Sequence, residues 1–430
     1  MKKIAFFLFI SQASFAQDKP NNLVAVVRQA LEYSPRIKEQ QLLINTGEIR
    51  KQILESNQKA QIFGEASYTR LDPVAKAIIP LPGNERELQF QPNNNYNTNV
   101  SVSYLLYDWG KTKANVERIL LEMKQQQHAI SGQKVALAYQ VVSLYYGIAF
   151  LRKSIRIQEE LIALLAENGK IISKRILQGD DLNINAIQNE VRGKNGQSRL
   201  IDLQSQLERQ YLFLGNLIGT DAHNLVAENL ALDKLDIKNE AESPYTSAFE
   251  NNSELKSLKD KENILIKDVA LANINGLPNL SALGAVGLRN GFQPDINPLR
   301  FNTLLGIKLT VPIYVGKKGM YQANLAKAQS EANKEAILTV KQQINREIDF
   351  VLNDLKAANQ KIELSKGNIY QAEAAMKLTK VRLENGVNTP LELQQAEMAI
   401  EDAKFGQLQY QYQAIMANIE LNKLMGNWFW

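Results

Sequence analysis

A chain that matches itself at a nearly fixed offset must fold as copies of one unit, and this sequence does so. Arg175-Ile-Leu-Gln-Gly179 returns as Arg382-Leu-Glu-Asn-Gly386, and Leu214-Gly-Asn-Leu217-Ile-Gly219 returns as Leu421-Asn-Lys-Leu424-Met-Gly426, both 207 residues on. Gly110-Lys-Thr-Lys-Ala-Asn-Val116 matches Gly319-Met-Tyr-Gln-Ala-Asn-Leu325, and Ala30-Leu-Glu-Tyr-Ser-Pro-Arg-Ile37 matches Ala248-Phe-Glu-Asn-Asn-Ser-Glu-Leu255. Four matches in one order imply a duplication, with residues 17–219 as the first repeat and 244–430 as the second. The Asp-, Asn- and Glu-rich stretch 220–243 between them reads as a linker.

Each copy has the same coarse plan. In the first, a short helical piece precedes a helix over Pro35–Gln58, and strands follow at Gln61–Leu71 and Asn97–Tyr107. A very long helix then runs from about Gly110 to Leu177, a turn sits at Gly179-Asp180-Asp181, and a return helix reaches Ile218. The second copy places a helix up to Asn275, strands at Leu280–Leu288 and Phe301–Ile313, a long helix to Glu384 and a return helix to Gly426.

The second strand of each copy carries a membrane pattern. Val100, Val102, Tyr104 and Leu106 alternate with Asn97, Asn99, Ser101 and Ser103, and Leu305, Ile307, Leu309 and Val311 share a face opposite Asn302, Lys308 and Thr310. Such segments match lipid-facing and lumen-facing alternation, although a half-buried soluble strand has the same period. After the N-terminus no run of eighteen apolar residues is found, so an α-helical span is expected to be excluded, which leaves a β-barrel as the route into a membrane. Four strands cannot close a transmembrane barrel, and an open edge in lipid leaves backbone groups unsatisfied. If these strands span a membrane, several protomers must share one barrel.

The long helices carry a narrow apolar seam. Ile344, Ile348, Val351, Leu355, Ala358, Ile362, Ser365, Ile369, Ala372, Met376, Thr379 and Leu383 alternate spacings of four and three. Leu393, Ala396, Ile400, Ala403, Gln407, Tyr410, Ala414, Ala417, Leu421 and Leu424 do the same on the return helix. This heptad spacing specifies left-handed coiled-coil packing. At about 1.5 Å per residue such a helix reaches on the order of 100 Å. Neither copy shows a compact core of its own, and the shorter helices could stack end to end alongside the long ones.

Residues 1–16 read as a secretory signal peptide: Lys2 and Lys3, the apolar run Ile4–Ile10, then Ser14-Phe15-Ala16. The chain has no cysteine, so disulfides, Cys-based metal sites and a lipid-anchor cysteine are all excluded. Fifty Lys and Arg against 45 Asp and Glu give a net charge of +5, too even for a nucleic-acid binder.

The signal, the duplication, the strand–strand–long-helix order and Val311-Pro312-Ile313-Tyr314…Gly319 before an Ala-rich helix together resemble TolC-type outer-membrane efflux proteins. So does Arg382-Leu-Glu-Asn-Gly386-Val-Asn-Thr-Pro-Leu-Glu392-Leu-Gln-Gln-Ala396, which is similar to the second helix-tip turn of that family. The resemblance covers essentially the whole chain after residue 16. It implies a mainly α fold with a β-barrel: a homotrimer whose twelve outer-membrane strands, four per protomer, continue into a periplasmic α-helical coiled-coil barrel. It further implies an exit duct of a tripartite efflux system, in which small molecules are driven by an inner-membrane pump and handed on through a periplasmic adaptor. No cofactor and no metal is implied.

The same resemblance implies an acidic ring at the second tip. Glu392 stands at the first matching position, but Gln395 occupies the second, so one ring is missing. Thr389-Pro390-Leu391-Glu392 is also a capping box with proline at the first helical position. Asp180 and Asp181 could add negative charge at the tunnel mouth or cap the next helix, the commoner use of Asp. Gly179 and Gly386 are expected to end their helices in the left-handed conformation. Arg175, Gln178, Arg382 and Asn385 lie beside them as candidate adaptor contacts.

Gly110-Lys111-Thr112 looks like the end of a P-loop, but Leu105 stands where the first glycine belongs, so a strand-to-helix turn is expected. His128 and His223 have no clustered ligands, which argues against zinc. Trp428-Phe429-Trp430 reads as an interface or a partly buried tail. No nucleophile–base or metal constellation appears, so the chain is not expected to be an enzyme. The alternatives are a duct for type I protein secretion and a non-porous periplasmic scaffold.

Overall fold

The computed structural model describes residues 23–81, 84–223, 225, 243–427 and 429. The expected signal peptide, most of the linker (226–242), Trp428 and Trp430 lie outside the described residues. The elements run α1 (Leu23–Tyr33), α2 (Pro35–Ser56), β1 (Gln61–Arg70), β2 (Lys76–Leu81), β3 (Asn84–Gln89), β4 (Asn94–Tyr107), α3 (Lys111–Gln178) and α4 (Asn183–Ile218). The second copy follows with α5 (Pro244–Asn251), α6 (Ser253–Ile274), β5 (Asn279–Arg289), β6 (Arg300–Thr310), α7 (Lys318–Glu384) and α8 (Pro390–Met425). The described residues form two compact units, and each draws on both repeats.

One unit holds the strands, within Glu39–Ala129 and Glu254–Val340. Its four-stranded sheet has the order β1-β4-β5-β6, every neighbour antiparallel, with β1 and β6 at the edges. A separate hairpin, β2 with β3, fills the longer strand connection of the first copy; the sequence reading had no strand there. β6 stops at Thr310, short of the expected Ile313, because Pro312 has no N–H to give a ladder. A bulge between Leu105 and Tyr107 makes Tyr107 rather than Leu106 pair with Leu280, so the alternation read through Leu106 ends one residue early.

At the helical end of the sheet, Gly110 adopts φ 83° and Asp108 caps α3, accepting from the Thr112 amide at 2.7 Å and the Gly110 amide at 3.1 Å. Gly110-Lys111-Thr112 is therefore the strand-to-helix turn that was expected. Asp108 titrates below the ordinary carboxylate range: burial pushes it up, but the hydrogen bonds from Thr112 and Gly110 together outweigh that.

The other unit takes the described residues up to Lys38, then Ile130–Ser253 and Lys341 onward. Its core is shared between the copies: Val26, Val27 and Ala30 of α1, Val141, Val142, Tyr145 and Ile148 of α3, Tyr211, Leu214 and Ile218 of α4, and Leu408, Ile415 and Ile419 of α8. A compact core thus exists where neither copy alone promised one. Every seam position from Ile344 to Leu383 on α7 is buried or half-buried, as heptad packing requires. α8 differs, because Leu408, Ile415 and Ile419 bury a second face besides the seam.

That second face bears on the membrane question. One α3 window is long and apolar enough to cross a bilayer by composition, contrary to the sequence reading. Its Val141, Val142, Tyr145, Ile148 and Ala149 are buried in this core, which accounts for the apolarity without a membrane. Phe429 is buried there too, edge-on to Tyr139 at 6.3 Å, so the described part of the tail is packed inward.

The copies join helix ends in the same way. Gln29 Nε2 of α1 donates to the Ile218 carbonyl at 3.3 Å, and Ser247 Oγ of α5 donates to the Met425 carbonyl at 3.1 Å. The C-cap glycines, Gly219 (φ 73°) and Gly426 (φ 72°), lie so close to Tyr33 and Asn251 that neither has room for a Cβ. At these joins the first short helix of each copy, α1 or α5, meets the end of that copy's return helix.

Candidate functional site

The register sorts the strand residues onto two faces. Gly64 pairs with Val100, Val100 with Val286 and Val286 with Thr303; Ile62 leads through Val102 and Gly284 to Leu305; Ala282 meets Ile307 and Leu288 meets Phe301. One face is therefore apolar across all four strands, and its Ile62, Leu305 and Ile307 are 66, 90 and 74% exposed. The other face carries Glu65, Asn99, Asn302, Ser281 and Lys308. A large apolar face left in the open calls for an apolar surrounding. Tyr68 and Tyr96, 5.2 Å apart, flank it at the hairpin end, and Tyr107 and Trp109, 4.8 Å apart, at the helical end, the positions of interfacial aromatic girdles.

The helix tips belong to the other unit. At the first, Gly179 (φ 82°) donates to the Ile176 carbonyl and Asp180 N–H to that of Arg175, both at 3.0 Å. At the second, Gly386 (φ 75°) donates to Leu383 at 3.0 Å and Val387 to Arg382 at 2.9 Å. Both are Schellman motifs, so the two glycines end their helices as expected. The capping box at Thr389 is also present: Thr389 Oγ1 accepts from the Glu392 amide at 3.3 Å, and Glu392 Oε2 accepts from the Thr389 amide at 2.7 Å. Glu392 and Gln395 are exposed.

Asp180 and Asp181 do not cap α4. The cap residue is Leu182, without a side-chain hydrogen bond, because the chain runs one residue beyond Asp181 before the helix begins. Asp181 instead accepts from the Leu182 amide at 2.8 Å and from Asn185 Nδ2 at 2.5 Å, and its other oxygen lies 3.8 Å from Arg175 Nε. Asp180 is exposed, and its carbonyl accepts from Arg175 at 3.2 Å.

Arg175 ties the tips together, since its guanidinium also donates to the Leu383 carbonyl at 2.6 Å. Its side chain is only 15% exposed, whereas Gln178, Arg382 and Asn385 lie open on the surface. Asn385 Nδ2 returns to the Val381 carbonyl at 2.8 Å.

Behind the tips stands a polar seam that the sequence reading missed. Glu397 of α8, 1% exposed, accepts from Asn168 Nδ2 of α3 and from the Arg192 guanidinium of α4. Further along, Arg199 donates to Glu401 at 2.7 Å, and Lys380 reaches Glu167 at 2.6 Å. Burial raises the Glu401 carboxyl above its ordinary range, and Arg199 opposes that shift. The available signal was charge spacing, with Glu397 and Glu401 four apart on α8 and Arg192 and Arg199 seven apart on α4, each pair on one helix face.

The two histidines stay in separate units. His128 Nε2 lies 3.3 Å from Asp260, and His223 is held between Glu208 at 3.0 Å and Asp221. Hydrogen bonds to Glu208 and Asp221 raise the His223 imidazole above its ordinary pKa. Among the described residues no group of three or more His, Cys, Asp or Glu side chains is placed to hold a metal ion.

A small antiparallel sheet with one outward apolar face, joined to two long helical hairpins, defines the class: an outer-membrane channel. Solved structures of that class share the fold. The CusC channel matches with a TM-score of 0.79 at 14% identity, over 95% of this chain and 92% of its own. VceC, an outer membrane protein of Vibrio cholerae, gives 0.74 at 15% identity over 95 and 97%. The MtrE outer membrane channel of Neisseria gonorrhoeae gives 0.76 at 15% identity over 95 and 89%. No curated protein matches the sequence. The sequence does match the outer membrane efflux protein family over residues 26–220 and 245–427, and the chain belongs to that family.

Proposed function

We propose that three copies of this chain close one barrel, β6 of each protomer pairing with β1 of the next, and that the trimer is a passive exit duct. The observation that carries this reading is the open sheet: four strands with one continuous apolar face and unpaired edges at β1 and β6. In hydrocarbon those edges need partners, and a second copy supplies them without any other protein. The two repeats, 17–219 and 244–430, each contribute one strand pair and one helical hairpin to the duct. Small molecules enter from an inner-membrane pump through a periplasmic adaptor that meets the exposed tip residues Gln178, Arg382 and Asn385. The pump supplies the energy, and this chain supplies the passage.

Detergent-extracted trimers in planar bilayers test this directly: discrete single-channel currents are expected, and a protein that inserts without conducting would sink the reading. Glu392→Gln refines it. Glutamine at that position keeps the capping geometry and removes the charge. Block of the current by divalent cations is expected to weaken; block unchanged from wild type assigns Glu392 to the cap alone.

A further inference from the structure

We propose that His223 is a proton-operated latch on the chain leaving α4, fastened while its imidazole carries two N–H groups and loosened when one is lost. The segment it fastens begins at Gly219, where α4 ends, and Ala222 within it is buried in the core shared by α1, α3, α4 and α8. Gln29 Nε2 of α1 donates to Thr220 Oγ1 at 2.9 Å. Beside these fixed contacts the His223 ring lies at the surface, stacked on Tyr211 of α4 with centroids 4.4 Å apart.

Both ring nitrogens face carboxylates. Nε2 lies 3.0 Å from Glu208 of α4, and Nδ1 contacts the Asp221 oxygen that also accepts the His223 amide at 3.1 Å. A neutral imidazole has one N–H and one lone pair, so one nitrogen must then turn its lone pair toward a carboxylate oxygen. The imidazolium donates to both. The arrangement is therefore complete in one protonation state, and deprotonation replaces one attraction by a repulsion. From α3, Arg152 lies 5.5 Å from the Tyr211 ring centroid and donates to the His223 carbonyl at 3.4 Å. That contact grips the backbone and does not depend on the charge of the ring.

The direction of the switch follows from the same contacts. Asp221 stays ionised, because hydrogen bonds from the His223 ring and amide hold its carboxyl below the ordinary range. Glu208 and Asp221 in turn hold the imidazole above its ordinary value. A group raised in this way contributes its stability in full below the unfolded value, about 6.5, and loses it as pH rises through the folded value. The latch is thus closed in mild acid and loosened in mild base, whether or not the protein conducts.

Hydrogen exchange of the detergent-purified full-length protein, corrected for the pH dependence of intrinsic exchange, tests this. Protection of residues 219–223 and the last turn of α4 is expected to fall about threefold between about pH 5.5 and 8.5, the size of an exposed ion pair. His223→Gln should show the lower protection at both values. The chain has two histidines, so His128→Gln leaves His223 alone and should keep the change in place. Glu208→Gln retains the ring but removes one carboxylate, and should move the midpoint to lower pH. Wild-type protection that does not vary with pH, a variation that persists in His223→Gln, or a midpoint unmoved in Glu208→Gln would each overturn the latch.

Discussion

Glu397→Ala is expected to loosen the seam behind the helix tips by about 3–5 kcal/mol, the range for removing one partner of a buried ion pair. Glu397 is the only carboxylate among the described residues that contacts α3 and α4 together from α8, through Asn168 and Arg192. Alanine would leave the Arg192 guanidinium, 19% exposed, without its counter-charge and Asn168 without its acceptor. The neighbouring apolar cluster of Met376, Leu383, Leu393 and Ala396 is small and offers little in reserve. Hydrogen exchange on solubilised protein should therefore accelerate in α4 from Asn183 to about Arg199 and in α8 from Pro390 to about Glu401, with the sheet unchanged. The double variant Arg192→Leu/Glu397→Leu should recover much of the protection, because a matched apolar pair avoids a stranded charge. Exchange unchanged in the single variant, or no recovery in the double, would show that the pair holds nothing together.

What could be read in the sequence was what repeats over many residues. The heptad seam from Ile344 to Leu383 repeats without a break through the C-terminal part of α7, so no single local contact could displace it. The strand alternation from Asn97 to Tyr104 likewise held until a bulge, and a bulge depends on the partner strand rather than on the strand itself. Capping box and glycine stops are local chemistry, and the Thr389 box and the stops at Gly179 and Gly386 formed as read. The β2–β3 hairpin was hidden because Lys76–Leu81 has no alternating face. Asp180 and Asp181 failed as caps through a shift of one residue, which propensity does not resolve. Glu397 was passed over because a seam reading ranks apolar positions and is silent on a carboxylate beside them, whose partners lie 205 and 229 residues away in sequence.

The interior of the sheet between β4 and β5 is closely packed, and Gly287→Val should show this most sharply. Gly287 lies on β5 between Asn99 of β4 and Asn302 of β6. A Cβ there would run into the Thr98 carbonyl oxygen and come within 2.7 Å of Asn99 Cα, and backbone atoms in a paired ladder cannot move aside. Overpacking of this kind costs about 1–3 kcal/mol or more. Each protomer would carry the fault, so a trimer would carry it three times. Unheated electrophoresis should show the detergent-resistant oligomer of Gly287→Val reduced by about tenfold or more, the equivalent of roughly 1.4 kcal/mol. Gly284→Ala on β5 is the matched control, because a Cβ there makes only ordinary contacts, the nearest to Leu305 Cδ2 at 3.5 Å. Equal oligomer yields for the two variants would mean that β4 and β5 are not held in this register when the barrel closes.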